Sequence, residues 1–248
     1  MSIFEKILHN KFLPVAVPAD RNNCCFYRLD SEQQFKKSLN TQPSDWFYRT
    51  NTVRYTFNSE GYRAPEFNTI DWANSVVIFG CSMVLGTGID DDDTVSSQLS
   101  KILCRPVINM GVAGSSIQHA VYNSAILAAG YPYPYAVIQL WSSIYRTMLI
   151  TDLGVNNRGP WNANHNDFYD LWLNNDHPCY SAVLYRKISQ QLWRDRSTRY
   201  LEGTMFEETA STLDNCSLFE HIDLGRDLSH PGIKTAARIA AHFAEQLK

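Results

Sequence analysis

The sequence predicts an α/β fold built on a parallel sheet. Three observations carry that expectation. Short apolar runs recur at 75–79 (SVVIF), 106–110 (PVINM) and 135–141 (YAVIQLW), the first two ended by Gly80 and Gly111. Stretches with helical spacing separate them, at 94–103 and at 115–129, the latter ended by Gly130 and Pro132. An amphipathic pattern over 232–247 closes the chain, with Ile233, Ala236, Ala237, Ile239, Ala240 and Phe243 on one face. β-Branched runs without alternation read as strands buried on both faces. Strands alternating with helices of ten to fifteen residues read as βαβ units. In such sheets a ligand sits outside the carboxyl ends of the strands. That rule directs attention to the loops 80–93, 110–116 and 141–150.

Length and composition bound the classes of function. The chain has 248 residues, enough for one sizeable core. Hydrophobic residues make up 44% and charged residues 19%, too apolar for disorder. A net charge of −3 gives no bulk attraction to nucleic acid or anionic membrane. No stretch approaches the roughly 20 apolar residues that span a bilayer. The first residues, MSIFEK, place charge where a signal peptide needs its apolar core, so a cytoplasmic location is expected. Cys24, Cys25, Cys81, Cys104, Cys179 and Cys216 contain no C-x-x-C pair, which argues against zinc and redox motifs and for free thiols in a reducing compartment.

Residues 1–70 read as an irregular, polar extension packed on a core formed by 71–248. Gly61 and Pro65 punctuate a loop at 61–67 (GYRAPEF). The stretch of about 150–215 is rich in Asn, Trp and Tyr, with a helix at 179–195, and reads as an insertion or lid.

The loop after the first strand is Gly80-Cys81-Ser82-Met83-Val84-Leu85-Gly86-Thr87-Gly88. A serine two residues past a strand end can face a crevice, and a following turn with free N–H groups can hold an oxyanion. By itself such a Gly-x-Ser is ordinary turn chemistry. It is not the G-x-S-x-G elbow, because position 84 is Val, nor a phosphate or dinucleotide loop. Near the C-terminus stands Asp227-Leu228-Ser229-His230-Pro231-Gly232. A serine nucleophile needs a base, and the base needs a group that orients its ring. Of the seven histidines, only His230 has an acidic residue three positions earlier. Alone, this segment equally suits a capped helix start with a solvated imidazole.

Together, the two segments resemble the SGNH/GDSL hydrolases from about Gly61 to the C-terminus. Phe79-Gly80-Cys81-Ser82 followed by Gly86 resembles the first block of that family. Val107 to Ser115 (VINMGVAGS) resembles the second, whose last glycine donates a backbone N–H to the oxyanion; that glycine is Gly114. Asp227 and His230 fall on the fifth block, and GYRAPEF resembles a segment that precedes the first block in some members. The resemblance implies a flavodoxin-like, three-layer α/β/α sandwich, the SGNH hydrolase fold. It implies a Ser82–His230–Asp227 triad with oxyanion donors from the N–H groups of Ser82 and Gly114. Two departures stand out. Cys81 replaces the aspartate usual before the serine. The third block, normally G-x-N-D, is Leu140-Trp141-Ser142-Ser143-Ile144-Tyr145-Arg146, without the asparagine that supplies a third donor. Ser143 or Ser142 is the candidate replacement, and Trp141 and Arg146 are candidate substrate-binding residues. Losing one oxyanion donor costs about 2.7–4 kcal/mol.

Other candidates read as structural. Asp90 to Asp93 suit the N-terminus of the following helix better than calcium, since alternate ligands and a glycine turn are missing. Cys81 as nucleophile is disfavoured, because its side chain and that of Ser82 should diverge. Trp161, Trp172, Trp193, Tyr169 and Tyr180 read as packing more readily than as a sugar-binding surface. The reaction class expected is hydrolysis of a carboxylic ester, an acetyl group on carbohydrate being one candidate, with no metal or cofactor. An acyltransferase with the same residues, or a weakened carbohydrate-binding protein on the same fold, are the alternatives.

Overall fold

The computed structural model describes residues 9, 11–151, 154–162, 167–194 and 196–248. The MSIFEK segment and part of the Asn-rich stretch, including His165, lie outside them. Among the described residues a five-stranded sheet is ordered β2-β1-β3-β6-β7, every neighbouring pair parallel. Its strands are β1 (Val76–Gly80), β2 (Val107–Gly111), β3 (Ala136–Trp141), β6 (Arg199–Thr204) and β7 (Ser217–Leu218). Counted within the sheet, this is the 2-1-3-4-5 order of the flavodoxin-like class.

Alternation along the strands builds three layers. Val76 and Ile78 of β1, with Ala136, Ile138 and Leu140 of β3, pack with Val95 and Leu99 of α3 (Val95–Leu103) and Ala236, Ile239 and Phe243 of α8 (Ile233–Leu247). The intervening Val77 and Phe79, with Ile108 and Met110 of β2, pack with Ala120 and Leu127 of α4 (Ile117–Gly130) and Trp193 of α6 (His177–Arg194). Strand residues buried on both faces explain the uninterrupted apolar runs of the sequence.

The extension is more structured than its polarity suggests. It forms helix α1 (Glu32–Thr41), capped by the Ser31 side chain accepting from Gln34 N–H. Phe12 and Tyr62 join the core on the α4 side of the sheet. The stretch of about 150–215 is not a single insertion or lid. It contains β6, paired with β3 in the middle of the sheet, and α6, one of the flanking helices. Only its beginning differs from the sheet: β4 (Thr147–Thr151) and β5 (Gly154–Arg158) form a separate antiparallel hairpin. Helices α5 (Asp167–Leu173) and α7 (Glu207–Thr212) complete the elements used below. No helix among the described residues is long and apolar enough to cross a membrane.

The first helical turn after β1 sits directly on β2. Helix α2 (Ser82–Leu85) crosses Gly111, where a Cβ would collide with the backbone of Val84 and Leu85. Gly111→Ala is therefore expected to destabilise the protein by about 1–3 kcal/mol through overpacking. Thermal unfolding should show a fall in Tm of about 2–4 °C for each kcal/mol.

Candidate active site

The sheet order reverses between β1 and β3, and the crevice opens at their carboxyl ends. Ser82 follows β1 there, as the first residue of α2. Cys81 is 1% exposed and Ser82 5% exposed, and His230 faces the serine. His230 Nε2 lies 2.9 Å from Ser82 Oγ, across 148 positions of sequence. On its other side, His230 Nδ1 contacts Asp227 Oδ2. A buried carboxylate on Nδ1 holds the ring proton there, leaving the Nε2 lone pair for the serine hydroxyl.

The acid–base turn is shaped by its own backbone. Asp227 Oδ1 accepts the N–H groups of His230 (3.2 Å) and Ser229 (3.4 Å). Leu228 takes a left-handed conformation, φ +57°, to close the turn. Gly88, φ +84°, abuts it from the nucleophile loop: its carbonyl accepts Arg226 N–H at 2.8 Å, and a Cβ would stand 2.8 Å from Asp227 Oδ1. Glycine at 88 therefore lets the two loops close on each other.

Both loops are also tied to the extension by buried arginines. Arg226, next to Asp227, pairs with Asp30 at 2.7 Å, the two side chains 4% and 1% exposed. Asp30 also accepts the Tyr55 hydroxyl, and that hydroxyl accepts Gly88 N–H at 2.7 Å. Arg63, the arginine of GYRAPEF, donates to the carbonyls of Leu85 (3.0 Å), Gly86 (2.7 Å) and Ile89 (3.0 Å) and pairs with Asp91 at 2.6 Å. The acidic run accordingly serves the extension more than the helix after it. Asp90 accepts Arg54 N–H, and Asp91 binds Thr56 and Arg63, while Thr94 caps α3. Among the described residues no cluster of His, Cys, Asp and Glu could hold a metal ion.

A cavity of about 520 Å³ contains Ser82 and His230. Gly114 lines it in a left-handed conformation, φ +72°, its face open except for the Trp161 ring 3.7 Å from where a Cβ would be. Arg146 and Trp161 also line it. Trp141 does not: it is 1% exposed, with its indole N–H donating to Glu202 at 3.1 Å. The cavity is also not lined by Ser143, whose hydroxyl donates to Glu208 at 2.6 Å. The Ser142 hydroxyl is buried outside the cavity lining. A third donor from either serine is thus not supported, because the Ser143 hydroxyl donates to the Glu208 carboxylate of α7 and the Ser142 hydroxyl lies outside the cavity. Of the five aromatics weighed as a sugar surface, only Trp161 reaches the cavity. Trp172, Trp193 and Tyr169 are buried, and Tyr180 is 75% exposed elsewhere.

Several cavity residues carried no signal in the sequence. Arg28 comes from the extension, as do Pro14, Val15 and Ala16. Asn156 and Asn157 come from β5. His119, on the first turn of α4, is 2% exposed, and burial pushes its imidazole down to about 4. The Asn157 amide stands 3.4 Å from His119 Nδ1. An amide donating there leaves the proton on Nε2, which is buried without a partner among the described residues.

With Ser82, His230 and Asp227 in contact at the carboxyl end of a 2-1-3-4-5 parallel sheet, the motifs and the architecture agree. The chain resembles the SGNH/GDSL hydrolases in fold. No family model matches the sequence, and no curated protein matches it. Among solved structures, the chain is similar to a lipolytic protein of the G-D-S-L family from Desulfitobacterium hafniense, at 11% identity over 69% of this chain and 98% of that one, TM-score 0.47. It is similar to a carbohydrate acetylesterase family member from Sinorhizobium meliloti, at 14% identity over 70% and 97%, TM-score 0.44. An acetyl xylan esterase from Butyrivibrio proteoclasticus shares 11% identity over 72% of this chain and 64% of that one, TM-score 0.41.

Two outcomes are expected from these contacts. Asp30→Asn leaves the Arg226 guanidinium buried without its counter-charge, and should cost about 3–5 kcal/mol in urea unfolding. His119 makes the fold acid-sensitive. The unfolded imidazole protonates near 6.5 and the folded one only near 4, so the unfolded chain binds more protons between those values. Stability is then full above pH 6.5 and falls as pH drops toward 4, by about 3 kcal/mol. His119→Gln should flatten that acid limb in a series of Tm against pH.

Proposed function

We propose that the protein is a serine hydrolase of carboxylic esters, and the observation that carries the reading is the Ser82 Oγ–His230 Nε2 contact of 2.9 Å, backed by Asp227. His230 takes the Ser82 proton as the hydroxyl oxygen attacks the acyl carbon. Asp227 stabilises the imidazolium that forms. The developing oxyanion is held by the N–H of Ser82, which as the first residue of α2 has no intrahelical acceptor, and by the N–H of Gly114. His230 then returns its proton to the leaving alcohol oxygen. Water, deprotonated by the same imidazole, cleaves the acyl-enzyme and regenerates Ser82.

The substrate proposed is a short acyl ester, such as an O-acetyl group on a carbohydrate. A cavity carrying Asn156, Asn157 and an exposed Trp161 ring suits a polyhydroxylated leaving group. A second reading, a weakened binding protein on the same fold, is favoured by one observation: Ser143, the expected third donor, is committed to Glu208. With two donors the enzyme is expected to be slow.

A fluorophosphonate probe with hydrolysis of short-chain aryl acetates separates the readings. The wild type should be labelled and active, and Ser82→Ala unlabelled. Ser82→Ala and His230→Ala should each lower kcat by at least roughly 10³-fold. An unlabelled, inactive wild type would favour the binding reading.

A further inference from the structure

We propose that the ester cleaved at this site carries an anionic group — a carboxylate, phosphate or sulfate — and that Arg146 receives it. The inference rests on the hydrolase reading and extends it to a substrate class. Its first support is the charge of the cavity. Arg146 and Arg28 line it, and among the described residues no aspartate or glutamate does, although acidic residues outnumber basic ones in the chain, 25 to 22. His119 does not add to this charge at neutral pH, since burial keeps its imidazole neutral.

The second support is the state of Arg146. Among the described residues the two arginines with buried side chains are matched with carboxylates, Arg63 with Asp91 and Arg226 with Asp30, as is half-buried Arg186 with Glu202; half-buried Arg105, Arg158 and Arg196 form no ion pair either, but none of them lines the cavity. Arg146 forms no ion pair among the described residues. Its guanidinium carbon lies 5.4 Å from the Trp161 ring centre and 5.1 Å from that of Phe206, which hold it in place without neutralising it. One terminal nitrogen reaches the Ser115 carbonyl only at 3.5 Å, and Nε is buried without an acceptor. A half-buried guanidinium with unspent donors is disfavoured until an anion arrives, and its planar fork matches a carboxylate, phosphate or sulfate.

Arg28 adds a second cation at the rim. It is exposed, holds a left-handed backbone, φ +60°, and is paired with no carboxylate among the described residues. It suits attraction of an anionic substrate toward the opening, while Arg146 fixes it within.

The test compares 4-acetoxybenzoate with its neutral methyl ester. Arg146→Gln should lower kcat/KM for the carboxylate ester at least tenfold more than for the neutral one, and Arg146→Lys should recover part of that difference. An equal loss on both esters would mean that Arg146 serves the oxyanion or the fold, and would overturn the proposal, as would no loss on either. Benzoate, phenyl phosphate and phenyl sulfate, used as inhibitors of neutral-ester hydrolysis, distinguish the three anions. At least one should compete and weaken at least tenfold in Arg146→Gln; inhibition by none counts against the proposal. If the wild type cleaves neither ester, the hydrolase reading fails separately. Calorimetry of the same three anions on wild type and Arg146→Gln then decides the anion site: binding weakened at least tenfold by the substitution upholds it, and no binding ends it.

Discussion

The site depends on a buried ion pair between Asp30 and Arg226, 196 positions apart. Ser82 is placed by the parallel sheet and needs little else. His230 sits on an irregular turn between β7 and α8, and nothing in the sheet holds that turn against the nucleophile loop. Arg226 does, by reaching from the residue before Asp227 into the extension. Burying two charges is costly, and only good geometry with further hydrogen bonds offsets it. Those bonds are present: Asp30 also takes the Tyr55 hydroxyl, which takes Gly88 N–H, which returns the network to the nucleophile loop. The arrangement is a closed circuit through three chain segments, so neither loop can shift without breaking a buried polar contact.

Arg63 performs the matching task on the other side. Carbonyls 85, 86 and 89 lie where the chain leaves α2 through two left-handed glycines, outside any regular helical ladder. A single guanidinium collects all three and is balanced by Asp91. The extension is thus a structural half of the site, and its part there is a matter of charge placement more than of secondary structure.

What the sequence made legible follows from range. Strands β1 to β3 and helices α3, α4 and α8 were readable because their burial is expressed locally, as apolar runs and helical periodicity. Ser82, Asp227 and His230 were readable because each lies within a few residues of a glycine or proline that marks its turn. Strand β6 was not, because Arg199 and Glu202 interrupt its apolar pattern, Glu202 being held by Arg186 from α6. Helix α1 was hidden by its polarity. The placement of Ser143 was misread for a related reason. Its position in the chain suits an oxyanion donor, but Glu208, 65 positions on, claims the hydroxyl. Arg63 was noticed as part of a motif, yet besides Asp91 its acceptors are backbone carbonyls that no pattern of side chains can announce.

The cavity divides by origin into chemistry and selection. Ser82, Gly114 and His230 come from the ends of the sheet strands or the turn packed on them, the rigid part of the fold. Arg28, Val15, Asn156, Asn157 and Trp161 come from the extension, the hairpin β4–β5 and the turn after it. A reacting centre must be held to fractions of an ångström, so it belongs on the sheet. The walls that choose a substrate need only the right polarity and charge, so they can be supplied by segments added around it. Arg146 stands at the junction, between β3 and the hairpin, held between the rings of Trp161 and Phe206. A charge placed there touches both parts, so on the proposed reading the choice of substrate rests on that one guanidinium more than on Ser82, His230 and Asp227 beside it.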